Sequence, residues 1–240
     1  MAGVDLRVTS GFTLLELTIV LAVIGVLLNA VVPTTASQWE ARQRNATERQ
    51  ITRILEASIG FAVAQGRLAC PATKDTRGRE QAACPGAGSH GYVPAVTLGI
   101  DGPLNDDALL VDRWGQPFRY ITSAFDHPTR GTQSLPDFTS TDEAARVGMR
   151  ELNSELVLCR VAAASECRDD DIRANQVPLI VFSTGHNQAL SATQQENLDA
   201  DSIYVTREYS RRDGLQFDDL VGWISENRFF YELVRAGTLP

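Results

Sequence analysis

The chain has 240 residues, of which 43% are hydrophobic and 22% charged, so its composition is that of a folded protein rather than a disordered one. The length allows one medium domain or two small ones. Thirty acidic against 22 basic residues give a net charge of −8, and Lys74 is the only lysine. This balance argues against a nucleic-acid-binding protein, because neutralising phosphates requires clustered Lys and Arg.

An apolar segment follows a short leader at the N-terminus. Residues 12–32 carry few polar side chains, and at a helical rise of about 1.5 Å per residue they reach about 31 Å, enough to cross a bilayer core. The segment therefore predicts a membrane-spanning helix. Glu16 needs an explanation, because a carboxylate at membrane depth costs about 2–3 kcal/mol or more and needs a partner.

Three interpretations compete for this segment. A secretory signal peptide would be cut near residues 34–36, although the apolar core is long for one and contains Glu16. A plain signal anchor would hold Glu16 near the membrane interface. In the third interpretation, residues 10–33 closely resemble the type IV prepilin signal of pilins and of type II secretion pseudopilins, and this one explains the most features.

The resemblance depends on features that match jointly over about a tenth of the chain. They are Gly11 at the end of the leader, Phe12 after it, Glu16 at the fifth mature position, the apolar run, and Pro33. The resemblance implies that a prepilin peptidase cuts between Gly11 and Phe12 and methylates the new amino group of Phe12. In a filament, Glu16 of one subunit would then neutralise the amino terminus of the next.

A helical pattern continues beyond the apolar segment. Gly25 and Pro33 are expected to weaken or kink the helix, because glycine lacks a Cβ and proline lacks a backbone donor. Apolar residues then recur at spacings of three and four, as in a helix with one buried stripe. The stripe consists of Ile51, Ile54, Leu55, Ile59 and Ala62. We expect one long helix over residues 12–65, kinked near residue 33.

The remaining sequence predicts a head of strands and short helices. Strand-like runs lie at residues 117–122, 156–162, 177–183, 202–207 and 217–224. A short helix is expected over residues 142–152, and a final helix after Ser225 as its N-cap. The predicted fold is α+β, with a long kinked N-terminal helix, membrane-spanning in its first half, packed on a small, mostly antiparallel sheet. The predicted parts are a cleaved leader (1–11), a transmembrane or filament-core helix (12–32), a stalk helix (33–66) and a periplasmic head (67–240).

Three segments of the head also resemble pseudopilins, at residues 112–120, 182–187 and 218–223. In the major pseudopilins the loop between the last two segments holds a calcium ion, and here that stretch offers oxygen donors of the right kind. The weak candidate ligands are Asp199, Asp201, Asp213, Asp218 and Asp219. A solvated acidic loop is the alternative, and no other cofactor is predicted.

Four cysteines follow the apolar segment and allow three pairings. They are Cys70, Cys84, Cys159 and Cys167. Pairing of neighbours would close two short loops and would require an oxidising compartment. Free thiols are the alternative, and a zinc site is not expected because no C-x-x-C or H-x₃₋₅-H spacing is present.

Signatures of catalysis are missing from the sequence, which has no nucleophile elbow, phosphate-binding loop or zinc-protease motif. Ser183 and His186 are three residues apart, which is no catalytic spacing. Asp218 and Asp219 are expected to alternate faces of a strand, so that they cannot act on one atom. The chain is therefore predicted not to be an enzyme.

Together these features predict a structural subunit, a minor pilin or pseudopilin of a type IV pilus or a type II secretion filament. The expected partners are the prepilin peptidase and methyltransferase, other pilin or pseudopilin subunits, an inner-membrane assembly platform and membrane lipid. The expected location is the bacterial inner membrane, crossed once, with the head in the periplasm. A membrane-tethered periplasmic binding module that does not polymerise is the alternative.

Overall fold

The structure, a computed structural model, is α+β and describes residues 13–84, 86–128, 135–141, 143–163, 166–186, 192–199, 201–210 and 216–238. The chain divides into two units, residues 1–43 and 44–240. The helices are α1 (Leu14–Gln65), α2 (Ala95–Leu98), α3 (Glu143–Val147), α4 (Ala192–Glu196) and α5 (Glu226–Arg235), with 3₁₀ turns at Gly86–Ser89 and Asp169–Asp171. The strands are β1 (His90–Tyr92), β2 (Arg119–Thr122), β3 (Val157–Cys159), β4 (Ala162–Ala163), β5 (Glu166–Cys167), β6 (Ile172–Ala174), β7 (Leu179–Ser183), β8 (Ile203–Val205) and β9 (Leu220–Ile224).

The strands of the second unit form three sheets within the described residues. The largest has the order β1-β2-β7-β9, and every pair in it is antiparallel. A second sheet has the order β6-β3-β8, with β3 and β8 parallel, and β4 pairs with β5 alone. The prediction of one small sheet is therefore wrong, because β3 and β8 pair with each other rather than extending the larger sheet.

Strand β7 is buried on both faces and lies between two apolar clusters. Leu179 and Val181 belong to a cluster with the α1 stripe, whereas Ile180 and Phe182 belong to a cluster with Leu158 of the second sheet. This division follows from the alternation of side chains along a strand. The second unit is thus layered, with the helix on one face of the larger sheet and the smaller sheet on the other.

The predicted apolar stripe of α1 forms the helix side of this core. All five stripe residues are buried, with Ile54 and Ala62 completely inaccessible. The stripe can approach β9 closely because Gly222 has no side chain. A Cβ at Gly222 would lie 2.5 Å from Cγ2 of Ile51 and 3.0 Å from Cδ1 of Leu55. The prediction of the stripe is confirmed.

The prediction that the first half of α1 spans a membrane is wrong. Among the described residues, no helix combines the length and the apolar character needed to cross a bilayer. The predicted location, a single-pass protein of the inner membrane, is overturned by the same finding.

Two glycine substitutions test the helix–sheet contact. We expect Gly222→Ala to lower the free energy of unfolding by about 1–3 kcal/mol, because the added methyl group overpacks the contact with Ile51. Gly60→Ala is the matched control, since Gly60 lies in α1 and a Cβ there meets nothing within 4 Å. It should leave stability unchanged or raise it by about 0.5–1 kcal/mol through helix propensity. Urea unfolding of both variants measures these changes. Equal effects on the free energy of unfolding would contradict the packing argument.

Candidate functional site

The first turn of α1 is closed by a side-chain cap. Oγ1 of Thr13 accepts a hydrogen bond from the backbone N of Glu16 at 3.2 Å, and the Thr13 carbonyl oxygen accepts one from the backbone N of Leu17 at 3.2 Å. Thr13 is therefore the N-cap, and Glu16 is the third helical residue. The Thr-x-x-Glu spacing is typical of a capping box, and a carboxylate in the first turn also favours the helix dipole. Glu16 thus has a local role that the family resemblance does not include.

The apolar residues around and beyond Glu16 are exposed. Their exposed fractions run from 45% at Ile24 to 83% at Leu14. The set comprises Leu14, Leu15, Leu17, Ile19, Val20, Leu21, Val23, Ile24 and Val26. We call this set the apolar N-terminal surface. Because successive helical residues are about 100° apart, the set covers every side of the helix, and a helix that is apolar all round needs burial by something else.

The other N-terminal residues that the sequence singles out are placed only in part. Gly11 and Phe12, the predicted cleavage and methylation site, lie outside the described residues. Gly25 and Pro33 lie within α1, and a Cβ at Gly25 would meet nothing within 4 Å. The cleavage, the methylation and the kink stay predictions.

In the head, the three segments that resemble pseudopilins meet at one place. Oδ2 of Asp112, from the first segment, accepts a hydrogen bond of 2.5 Å from Oγ of Ser183, in the second. The Ser183 oxygen accepts in turn from the backbone N of Gly185 at 3.1 Å. Gly185 has a φ of 66°, and a Cβ there would lie 2.6 Å from the carbonyl oxygen of Asp218, in the third segment. The sequence alone gave no sign of this convergence, because it depends on the sheet order.

Asp218 and Asp219 contact the same side chain, so the expectation that they cannot act on one atom is wrong. Nε2 of Gln194, in α4, donates to Oδ1 of Asp218 and, at 3.3 Å, to Oδ1 of Asp219. Nδ2 of Asn197 donates to Oδ2 of Asp219 at 2.7 Å. Both acids precede β9, where the alternation of a strand does not apply. Burial, with a smaller contribution from the neighbouring Asp218, raises the pKa of Asp219 to about 7. The two amide hydrogen bonds oppose this shift.

The calcium candidates are divided by the fold. Asp199 and Asp201 lie together with Glu196, and their carboxylate oxygens are within 4.8 Å of one another. Asp218 and Asp219 are instead bound by amide side chains, and Asp213 lies outside the described residues. Glu196 was missed by the sequence interpretation, although it lies three residues before Asp199. Exposed acidic groups commonly cluster without an ion, so calcium stays a prediction.

The cysteines are joined in the two local pairs. Cys70 and Cys84 have Cα atoms 5.7 Å apart, and those of Cys159 and Cys167 are 6.1 Å apart. The first pair connects residues that follow α1 with those that precede β1, and the second joins β3 to β5. Both close short loops of the head, where such bonds typically contribute about 2–4 kcal/mol each.

The buried Asp219 gives a pH dependence with a definite sign. Its pKa is raised in the folded chain to about 7 from the usual 3.8, so the folded state holds the proton more tightly than the unfolded state. Its contribution to the free energy of unfolding is therefore complete below about pH 4 and is lost as the pH rises through 7. We expect the wild type to lose about 2–3 kcal/mol of stability from this group between pH 5 and pH 8. Asp219→Asn should remove that part of the slope.

Urea unfolding at several pH values measures this slope. Asp101→Asn is the matched control, since Asp101 is exposed and the same atoms are changed. The control should follow the wild type, whereas Asp219→Asn should have a flatter profile. A profile for Asp219→Asn that parallels the wild type between pH 5 and pH 8 would show that the carboxylate is not held protonated by burial.

Comparison of the chain with protein-family models, with curated proteins and with solved structures finds no match. The functional argument therefore depends on the residues of this chain. Two arrangements carry it, the capped apolar start of α1 and the polar junction of the head. The first presents an uncovered surface and one carboxylate, and the second holds the head's loops together.

Proposed function

We propose that this chain is a structural subunit of a pilin-like filament, assembled through the start of α1. The observation that supports this most directly is the apolar N-terminal surface, which no described part of the chain covers. Burying one Leu, Ile or Val side chain contributes about 1.5–3 kcal/mol. Packing of this surface against the same segment of neighbouring subunits would bury all sides of the helix at once.

Glu16 gives the proposed contact its register. Processing between Gly11 and Phe12, which the resemblance implies, would leave an α-ammonium group four residues before Glu16. That charge and the carboxylate would each be unpaired in an apolar interface, where an unpaired charge is costly. If neighbouring helices pack with a stagger, Glu16 of one subunit neutralises the amino group of the next. The pair then fixes how far one helix is displaced along its neighbour.

The head would supply the outer surface of such a filament. Its two disulfides and the junction between Asp112, Ser183 and Gly185 support a head that keeps its shape while many copies are packed together. The resemblance allows a type IV pilus or a type II secretion filament, with the prepilin peptidase and other pilin-like subunits as partners. A minor subunit is favoured in the proposal because the chain is longer than a typical major subunit of that family.

The proposed function makes a prediction about the N-terminus of the mature protein. Protein isolated from its native source should begin at Phe12 and carry one methyl group on the amino nitrogen, because the resemblance places the cut after Gly11. Intact mass and N-terminal peptide mass spectrometry measure this. A chain that still begins at Met1, or one cut after Ala36, would contradict the processing step and with it the register pair.

A further prediction of the proposed function separates the charge of Glu16 from its place in the helix cap. Glu16→Gln keeps a side chain that suits a capping box but removes the charge. Thr13→Ala removes the cap acceptor, at about 1 kcal/mol, but keeps the charge. We expect Glu16→Gln to lower incorporation into filaments at least tenfold and Thr13→Ala to leave it near the wild-type level. Tenfold corresponds to about 1.4 kcal/mol of lost pairing.

Incorporation is measured as the fraction of the subunit in sheared filaments from the native host, relative to the cellular pool. Normal incorporation of Glu16→Gln would exclude the charge pair. Equal loss in both variants would assign the effect to the helix cap. A subunit that never enters filaments, even as the wild type, would favour a binding module that does not polymerise.

A further inference from the structure

A second buried carboxyl group, Asp137, lies at a junction of the head that the proposed filament contact does not use. Its side chain is completely inaccessible to solvent. Oδ2 accepts a hydrogen bond from the backbone N of His127 at 2.9 Å, and the backbone N of Asp137 donates to the carbonyl oxygen of Phe125 at 2.8 Å. Oδ1 is buried and has no hydrogen-bond partner among the described residues. Oδ2 of Asp137 is thus hydrogen-bonded, whereas Oδ1 is not.

Charged groups surround this carboxyl, and we call them with it the Asp137 cluster. The cluster consists of Asp126, His127, Asp137, Glu143 and Glu151. Asp126 and Glu143 act on Asp137 with like charge, and His127 acts with opposite charge when it is protonated. Nε2 of His127 lies 3.3 Å from Oε2 of Glu151. Glu143, itself buried, is partly compensated by Arg146, whose Nη1 donates to it at 3.0 Å.

The next residue connects the cluster to the core. The carbonyl oxygen of Phe138 accepts from the backbone N of Leu68, just after α1, at 2.7 Å. The Phe138 ring lies 5.6 Å from that of Phe229 in α5, and it shares an apolar cluster with Ala144 of α3. Phe138 therefore anchors this segment to α5, to the apolar cluster that contains α3 and to the chain just after α1. A change in the charge of Asp137 acts at this anchor.

We propose that the Asp137 cluster is an acid-stabilised clasp, which holds residues 125–128 to residues 135–138 tightly when Asp137 is protonated and loosely when it is ionised. A neutral carboxyl can keep Oδ2 as the acceptor of the His127 N–H while its proton sits on Oδ1. An ionised carboxyl leaves a buried charge next to Asp126 and Glu143. Loosening lets water reach that charge, which offsets the cost of ionisation.

Burial and the neighbouring acids act on Asp137 in the same direction. Burial, with the nearby Asp126 and Glu143, raises the pKa of Asp137 to about 6, although the hydrogen bond from His127 opposes the shift. The folded clasp therefore binds its proton more tightly than the open form, and it weakens as the pH rises through 6. The ion pair between Nε2 of His127 and Oε2 of Glu151 requires a charged imidazole.

Native-state hydrogen exchange of the full chain tests the proposal. The reporters are the backbone amides of His127, Asp137 and Leu68, and the amides of β7 report global opening. After correction for the intrinsic pH dependence of exchange, we expect the reporter opening equilibrium to be about tenfold larger at pH 8 than at pH 5. Asp137→Asn, which mimics the neutral acid, should reduce that change to twofold or less. Asp101→Asn is the control and should behave as the wild type.

Two further measurements keep the test independent of how well Asp137→Asn folds. In the wild type, the side-chain carboxyl carbon of Asp137 should titrate by NMR over the same pH range in which reporter protection changes. His127→Gln keeps the backbone donor and removes the ion pair, so it should lower protection at pH 5 but keep the step that follows Asp137. An Asp137 signal that titrates below pH 4.5, or reporter protection that stays constant from pH 5 to pH 8, would overturn the clasp.

Discussion

The close approach of α1 to β9 is the constraint on which the head depends. Because Gly222 has no Cβ, Ile51 and Leu55 lie directly against the backbone of the strand. That contact covers one face of the larger sheet, and the neighbouring strand β7 is then buried from both sides. Because the helix covers one face of the larger sheet, the smaller sheet packs on the other face. The close packing of the helix against this sheet thus depends on the absence of one side chain.

The polar junctions of the head form where the layers end. Asp112 lies at the start of a turn, Ser183 is the last residue of β7, and Asp218 lies two residues before β9. Backbone N–H groups beyond the strand ends lack partners in the sheet. Asp112 supplies acceptors for two such groups in its own turn and for the Ser183 hydroxyl as well. The Asp112 carboxyl group and the Ser183 hydroxyl are buried, so each would be costly if left unpaired. The three segments therefore meet at one polar junction, which joins loops of the head.

Features set by local spacing could be predicted from the sequence, and features set by tertiary contacts could not. The buried stripe of α1 follows from apolar residues three and four apart, and the hydroxyl of Ser225 caps α5 because an N-cap depends only on the next few residues. Strand β1 has three residues, too few to show a period. The contact of Asp218 and Asp219 with one side chain depends on where α4 lies, and no local pattern in the sequence predicts that. The membrane span is the prediction that fails, because no described helix combines enough length and apolar character to cross a bilayer.

The two ends of α1 show why apolar character alone does not decide a role. Near its C-terminal end the helix has one apolar stripe, and its own sheet covers that stripe. Around Glu16 the apolar residues occupy all sides, and nothing described in the chain covers them. A carboxylate in the first turn of any helix interacts favourably with the helix dipole, so Glu16 by itself would be weak evidence for assembly. The exposed surface is different, because no local effect stabilises nine uncovered apolar side chains in water. The proposed filament therefore depends on this surface more than on the acid within it, and in that proposal the acid would determine how neighbouring helices are aligned.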